Sequence, residues 1–169
     1  MAMDEEYPIL ESLVIARQTE IEGGSTSLVF SETFQAPHLR QLVMNGFALP
    51  IGSRLLMTVV GLVALCLIMD HPSTYFHRNT LLHWLSSMPQ LETLMIYFLS
   101  AVPNWDVEGQ LTHTPIITHV TLPNLHHLRF RGVSTYLEAV VHRITTPYPE
   151  KLEIYLFNQL TFSVPRPGT

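Results

Sequence analysis

The chain is short of charge. Asp, Glu, Lys and Arg together make up 14% of its 169 residues, against roughly 25% in an average globular protein. Apolar residues reach 47%. A disordered chain needs the reverse balance and is excluded. Nine residues are Lys or Arg and the formal net charge is −5, so a basic nucleic-acid binder is excluded and no nucleic-acid partner is expected. One cysteine, Cys66, excludes a disulfide scaffold and a cysteine-rich zinc module. The start, Met1-Ala2-Met3-Asp4-Glu5-Glu6, is acidic and lacks the apolar stretch of a secretory signal, so an intracellular location, cytoplasmic or nuclear, is expected. The uncharged run from Leu55 to Met69 has fifteen residues and contains Gly61. A membrane helix needs about 20, so the run reads as a short helix followed by a strand, with no membrane partner.

Signatures of catalysis and metal binding are missing too. Three Asp and eleven Glu form no DxD or Walker motif, and no GxSxG elbow is present. Nine His are scattered without an HExxH pattern. His126 and His127 are adjacent and point to opposite faces of a strand. His77 and His83 are six apart, and His113 and His119 have no paired Cys. Cys66 stands between Leu65 and Leu67 and reads as a structural thiol. No catalytic residue, metal or cofactor is expected. A small hydrolase using Cys66 or His is the alternative from another class.

What the chain has is leucine, 25 residues of it, in a recurring pattern of apolar, two residues, apolar, one residue, apolar. The copies are Leu10-Leu13-Ile15, Leu39-Leu42-Met44, Leu62-Leu65-Leu67, Leu91-Leu94-Ile96 and Leu125-Leu128-Phe130, with a degraded sixth at Pro149-Leu152-Ile154. Their first positions are 29, 23, 29, 34 and 24 residues apart. Positions four and six are two apart, so they share one face of a strand. One unit cannot bury such a face alone, whereas stacked units share a continuous core. Pro8, Pro37, Pro89, Pro123 and Pro149 precede or enter the strands and read as helix-to-strand punctuation.

Helical signals fall between the strands. Ser53 is a candidate cap for a short helix over Leu55, Leu56 and Val59, and Asn79 for one over Leu81, Leu82, Trp84, Leu85 and Met88. Thr135 and Glu138 form a candidate capping box before Leu137, Val140, Val141 and Ile144. Residues 101–121 lack a helical period and read as an irregular insertion, and 165–169 as a flexible tail. The expected fold is one α/β domain over residues 1–169, a solenoid of about six repeats. It has a curved parallel sheet on its concave side and irregular helices on its convex side.

The units Pro89 to Ile96 and Leu122 to Phe130 resemble leucine-rich repeats. The form with a helix ahead of the strand, as over Thr80 to Met88, is similar to the leucine-rich-repeat portion of fungal F-box-like proteins, as is Phe130 to Glu138. The resemblance covers Pro8 to Val164. It implies a non-enzymatic protein-interaction module, by analogy the substrate-recognition part of a ubiquitin-ligase adaptor. A repeat-only binder, inhibitor or scaffold unrelated to ubiquitin stays open beside it. The ninth repeat position, usually Asn or Cys, is here Gln18, Phe47, Asp70, Leu99, Val133 and Phe157. No F-box is legible, so Skp1 binding is not expected from this chain alone.

In such a repeat the residues between the core positions line the concave face. The early units place small and apolar side chains there. The later ones place Tyr97, His127, Arg129, Arg131, Glu153 and Tyr155, and Tyr and Arg are the types enriched at binding hot spots. These six are the candidate partner-binding residues, for a protein partner of unknown identity. An ordinary solvated strand face is the alternative.

Overall fold

The computed structural model describes residues 7–16, 34–47, 53–99, 119–147 and 149–157. Five units open on the same turn. The N–H of Leu10 donates to the carbonyl of Tyr7, Leu39 to Ala36, Leu62 to Val59, Leu91 to Met88 and Leu125 to Leu122, at 3.0–3.2 Å. The second residue of four of these turns is Pro8, Pro37, Pro89 or Pro123, whose ring presets the φ that this position requires. The proline expected as punctuation is thus part of the turn itself. In the third turn Val60 takes the place, and its N–H donates to Thr58 O at 3.0 Å, a bond that proline has no hydrogen to make.

One carbonyl per unit then carries the next strand into register. Glu11 O accepts from the N–H groups of Arg40 and Gln41, Arg40 O from Val63 and Ala64, Val63 O from Glu92 and Thr93, and Glu92 O from His126 and His127, all at 2.7–3.1 Å. In chain order the elements are β1 (Ser12–Ala16), β2 (Gln41–Asn45), α1 (Arg54–Thr58), β3 (Ala64–Met69), a 3-10 turn (Pro72–Thr74), α2 (Arg78–Ser86), β4 (Thr93–Phe98), β5 (Val120–Thr121), β6 (His127–Gly132), α3 (Ser134–Val141), β7 (Ile144–Thr145) and β8 (Lys151–Leu156). The fold is mixed α/β. Six strands form one sheet in the order β1-β2-β3-β4-β6-β8, and each neighbouring pair is parallel.

The register puts Leu13, Leu42, Leu65, Leu94, Leu128 and Leu152 in one row, and Ile15, Met44, Leu67, Ile96, Phe130 and Ile154 in another. These rows face the helices. Leu42, Leu65 and Leu94 join Leu55 and Leu56 of α1, Leu81, Leu82, Trp84 and Leu85 of α2 and Val140 of α3 in one buried cluster, with Leu128 packed against it. Removing each such side chain from water stabilises the fold by about 1.5–3 kcal/mol. An aromatic group closes the core at the C-terminal ends of β4 and β6: Phe98 stands 4.9 Å from the Tyr136 ring and 6.1 Å from the Phe130 ring, both edge-on.

The helix boundaries correct the expected caps. The N-cap of α2 is His77, whose ring Nδ1 accepts from the Asn79 N–H at 3.0 Å. Asn79 instead lies inside the helix, and its Oδ1 accepts from Arg143 Nη1 at 2.8 Å. Ser53 holds the N-cap position of α1 without a side-chain capping bond. The capping box at Thr135 and Glu138 does not form: α3 begins at Ser134 with Val133 at its N-cap and no side-chain capping bond. Ile144 leaves the helix for β7, which pairs with β5 in a separate two-stranded parallel sheet. Val120 and Thr121, expected in an irregular loop, are β5. Residues 101–118 and the tail 165–169 lie outside the described residues.

Candidate functional site

Among the described residues, the helices pack on one face of the sheet and leave the other without a helix. On a strand, alternate side chains point away from the core, and here they fall into three rows. The first is Ser12, Gln41, Ala64, Thr93, His127 and Lys151. The second is Val14, Val43, Cys66, Met95, Arg129 and Glu153. The third is Ala16, Asn45, Ile68, Tyr97, Arg131 and Tyr155. All six candidate residues stand on this face, on β4, β6 and β8.

Three of them interlock. Arg129 Nε lies 2.7 Å from Glu153 Oε2, and Arg129 Nη2 donates to Glu153 Oε1 at 2.7 Å. The side chains are only 29% and 22% exposed, and the Nη2 bond is charge-assisted and so stronger than a neutral one, whereas Nε, close as it stands, makes no hydrogen bond among the described residues. Arg129 Nη1 also donates to the Tyr97 hydroxyl at 3.2 Å, and that hydroxyl donates to Met95 Sδ at 3.8 Å. Lys151 adds a second cation at 2.9 Å from Glu153 Oε1. Hydrogen bonds from Arg129 and then Lys151 hold the Glu153 carboxyl well down, at about 2. The bond to Glu153, then the one to Tyr97, pushes the Arg129 guanidinium further up from its ordinary value.

The remaining three stay outside this knot. His127 stands between Thr93 and Lys151. Its Nε2 is buried and has no hydrogen-bond partner among the described residues. Burial of the ring, then the nearby Lys151 and Arg129 charges, pull its pKa down against the opposing pull of Glu153. Arg131 is exposed, with its guanidinium 5.0 Å over the Phe157 ring. Tyr155, beside it in register, is 56% exposed.

The sequence puts Lys151 and Met95 on this face and Phe157 at a ninth repeat position, but not among the candidate partner-binding residues. Lys151 and Glu153 were legible as opposite charges two apart on one strand face. Phe157 lies beyond the end of β8, where the period of two carries no information. Cys66 is half-buried on this face. Burial raises its thiol pKa, with Arg129 opposing, and burial in apolar surroundings makes a thiol less reactive.

Among the described residues no group of three or more His, Cys, Asp and Glu is placed to hold a metal ion. No helix among them is long and apolar enough to cross a membrane. Compared with family models, curated proteins and solved structures, the chain finds no match.

Proposed function

We propose that the chain is a non-enzymatic protein-interaction module, a leucine-rich-repeat solenoid that receives its partner on the face of the parallel sheet opposite the described helices. By resemblance it is the substrate-recognition portion of a fungal F-box-like adaptor. The observation that carries the reading is the pre-formed Tyr97–Arg129–Glu153 arrangement on a platform six strands wide. Binding surfaces gain when their large side chains are already fixed, because less rotamer entropy is lost on docking. Recurrence of the same turn and the same shared carbonyl in successive units supports the repeat assignment.

Site-specific photocrosslinking tests the reading. A crosslinker at Met95 or Tyr155 captures a discrete protein, and one at Glu138, on exposed α3 surface, does not. Equal capture from both positions rejects the placement. Skp1 is expected among captured proteins only when an F-box is supplied in the same polypeptide.

A further inference from the structure

We infer that the partner segment is a peptide that runs across the strands, apolar toward β1 and carrying a carboxylate over β6, and that Arg131 is the residue that receives it. This inference rests on the proposed use of the sheet face opposite the described helices and adds the chemistry of the occupant.

The two arginines of β6 are in opposite situations. Arg129 already donates to Glu153 from Nη2 and to Tyr97 from Nη1, and its Nε stands 2.7 Å from the same carboxylate. Glu153 in turn has Oε1 shared between Arg129 and Lys151. Arg131 has no acidic partner within ion-pair distance among the described residues. Its one charge-related contact there is the Phe157 ring, which takes the face of the guanidinium and leaves its N–H edge unanswered. A planar fork of unanswered donors matches a carboxylate. Tyr97 and Tyr155 flank Arg131 in register on the two neighbouring strands, so the fork stands in an aromatic setting that favours desolvated contact.

Charge and polarity give the direction. The face carries three cations, Arg129, Arg131 and Lys151, against the single Glu153, on a chain whose formal net charge is −5. Toward β1 the charge disappears. The face of β1, β2 and β3 presents Ser12, Val14, Ala16, Gln41, Val43, Asn45, Ala64, Cys66 and Ile68, and Val14 is 67% exposed. At about 4.8 Å per strand, Val14 and Arg131 are about 19 Å apart across the sheet. Six extended residues span that distance at about 3.3 Å each. One unanswered arginine beside an apolar field does not make a phosphate track, which needs several cations in line.

Selection of a random twelve-residue peptide display library on the immobilised chain tests this. The expected winners place Asp, Glu or a free C-terminal carboxylate after an apolar stretch. Their affinity drops about tenfold or more, about 1.4 kcal/mol or above, in Arg131→Gln. It is unchanged in Arg54→Gln, an exposed arginine on α1. Amide shifts of the labelled chain locate each winner. Winners without an acidic position, or indifferent to Arg131→Gln, that still shift Val14, Cys66 and Met95 overturn the carboxylate inference and leave the sheet-face reading standing. Winners that shift only helix residues, or no winners at all, overturn both. A circular-dichroism melt of Arg131→Gln that matches the parent shows that the loss is not unfolding.

Discussion

Gly132 is set by its neighbours rather than by its backbone. A methyl group there would lie 2.7 Å from both Phe130 Cζ and Phe98 Cδ2, rings locked in the aromatic end of the core. Gly132→Ala should therefore destabilise the fold by about 1–3 kcal/mol, read as a lower urea midpoint. The charged residues predict two contributions to stability that change with pH. Glu153 is held at about 2 against an ordinary 4.5, so its contribution to stability is complete above 4.5 and is lost as pH falls toward 2. Replacing Arg129 with Met should move the Glu153 titration, followed by carboxyl NMR, from about 2 back toward 4.5. His127 is pushed below its ordinary 6.5. The fold then favours the neutral ring, and its contribution is complete above 6.5 and falls as pH drops through the lower folded value. His127→Gln should flatten that part of the stability profile and leave the Glu153 window in place.

At the level of the element, the sequence is legible wherever a period reports on burial. The leucine spacing predicts each of the six long strands and the register of all three rows, because an inward face repeats every two residues and every unit repeats that face. Caps carry no period. Asn79 is the better cap by residue type, yet His77 takes the role because its Nδ1 lone pair reaches the Asn79 N–H. His77→Ala should destabilise the fold by about 1 kcal/mol, the typical value of a helix cap, and calorimetry of the two alanine variants separates it from Asn79→Ala, which loses the Arg143 contact instead. The two-residue strands β5 and β7 are too short to show alternation and were illegible for that reason. In the candidate site the row membership of Arg129 and Glu153 was readable. Their mutual satisfaction was not, since side-chain pairing depends on rotamers as well as register. Arg129 is thereby fixed in place on the sheet face, and Arg131 is left without an acidic partner among the described residues.

At the scale of the whole molecule, burial among the described residues is graded from the middle of the sheet to its edges. In the leucine row, Leu42 is 1% exposed, Leu65 and Leu94 0%, and Leu152 53%, while Leu13 and Leu128 are half-buried. A strand inside the sheet has a neighbour on each side and an edge strand only one, so side chains on the inner strands are enclosed by more contacts. Leu65→Ala removes a side chain enclosed by β2, β4 and the helices, and should cost about 2–5 kcal/mol. Leu152→Ala removes one that water already reaches, and should stay within about 0.5 kcal/mol. Amide exchange adds a second measure: β3 and β4 should exchange at the global unfolding rate, and β8 should open earlier by local fraying. Equal losses in the two variants, with uniform protection from β1 to β8, would mean that the sheet melts as one indivisible unit and that the strand-by-strand account of its stability is wrong.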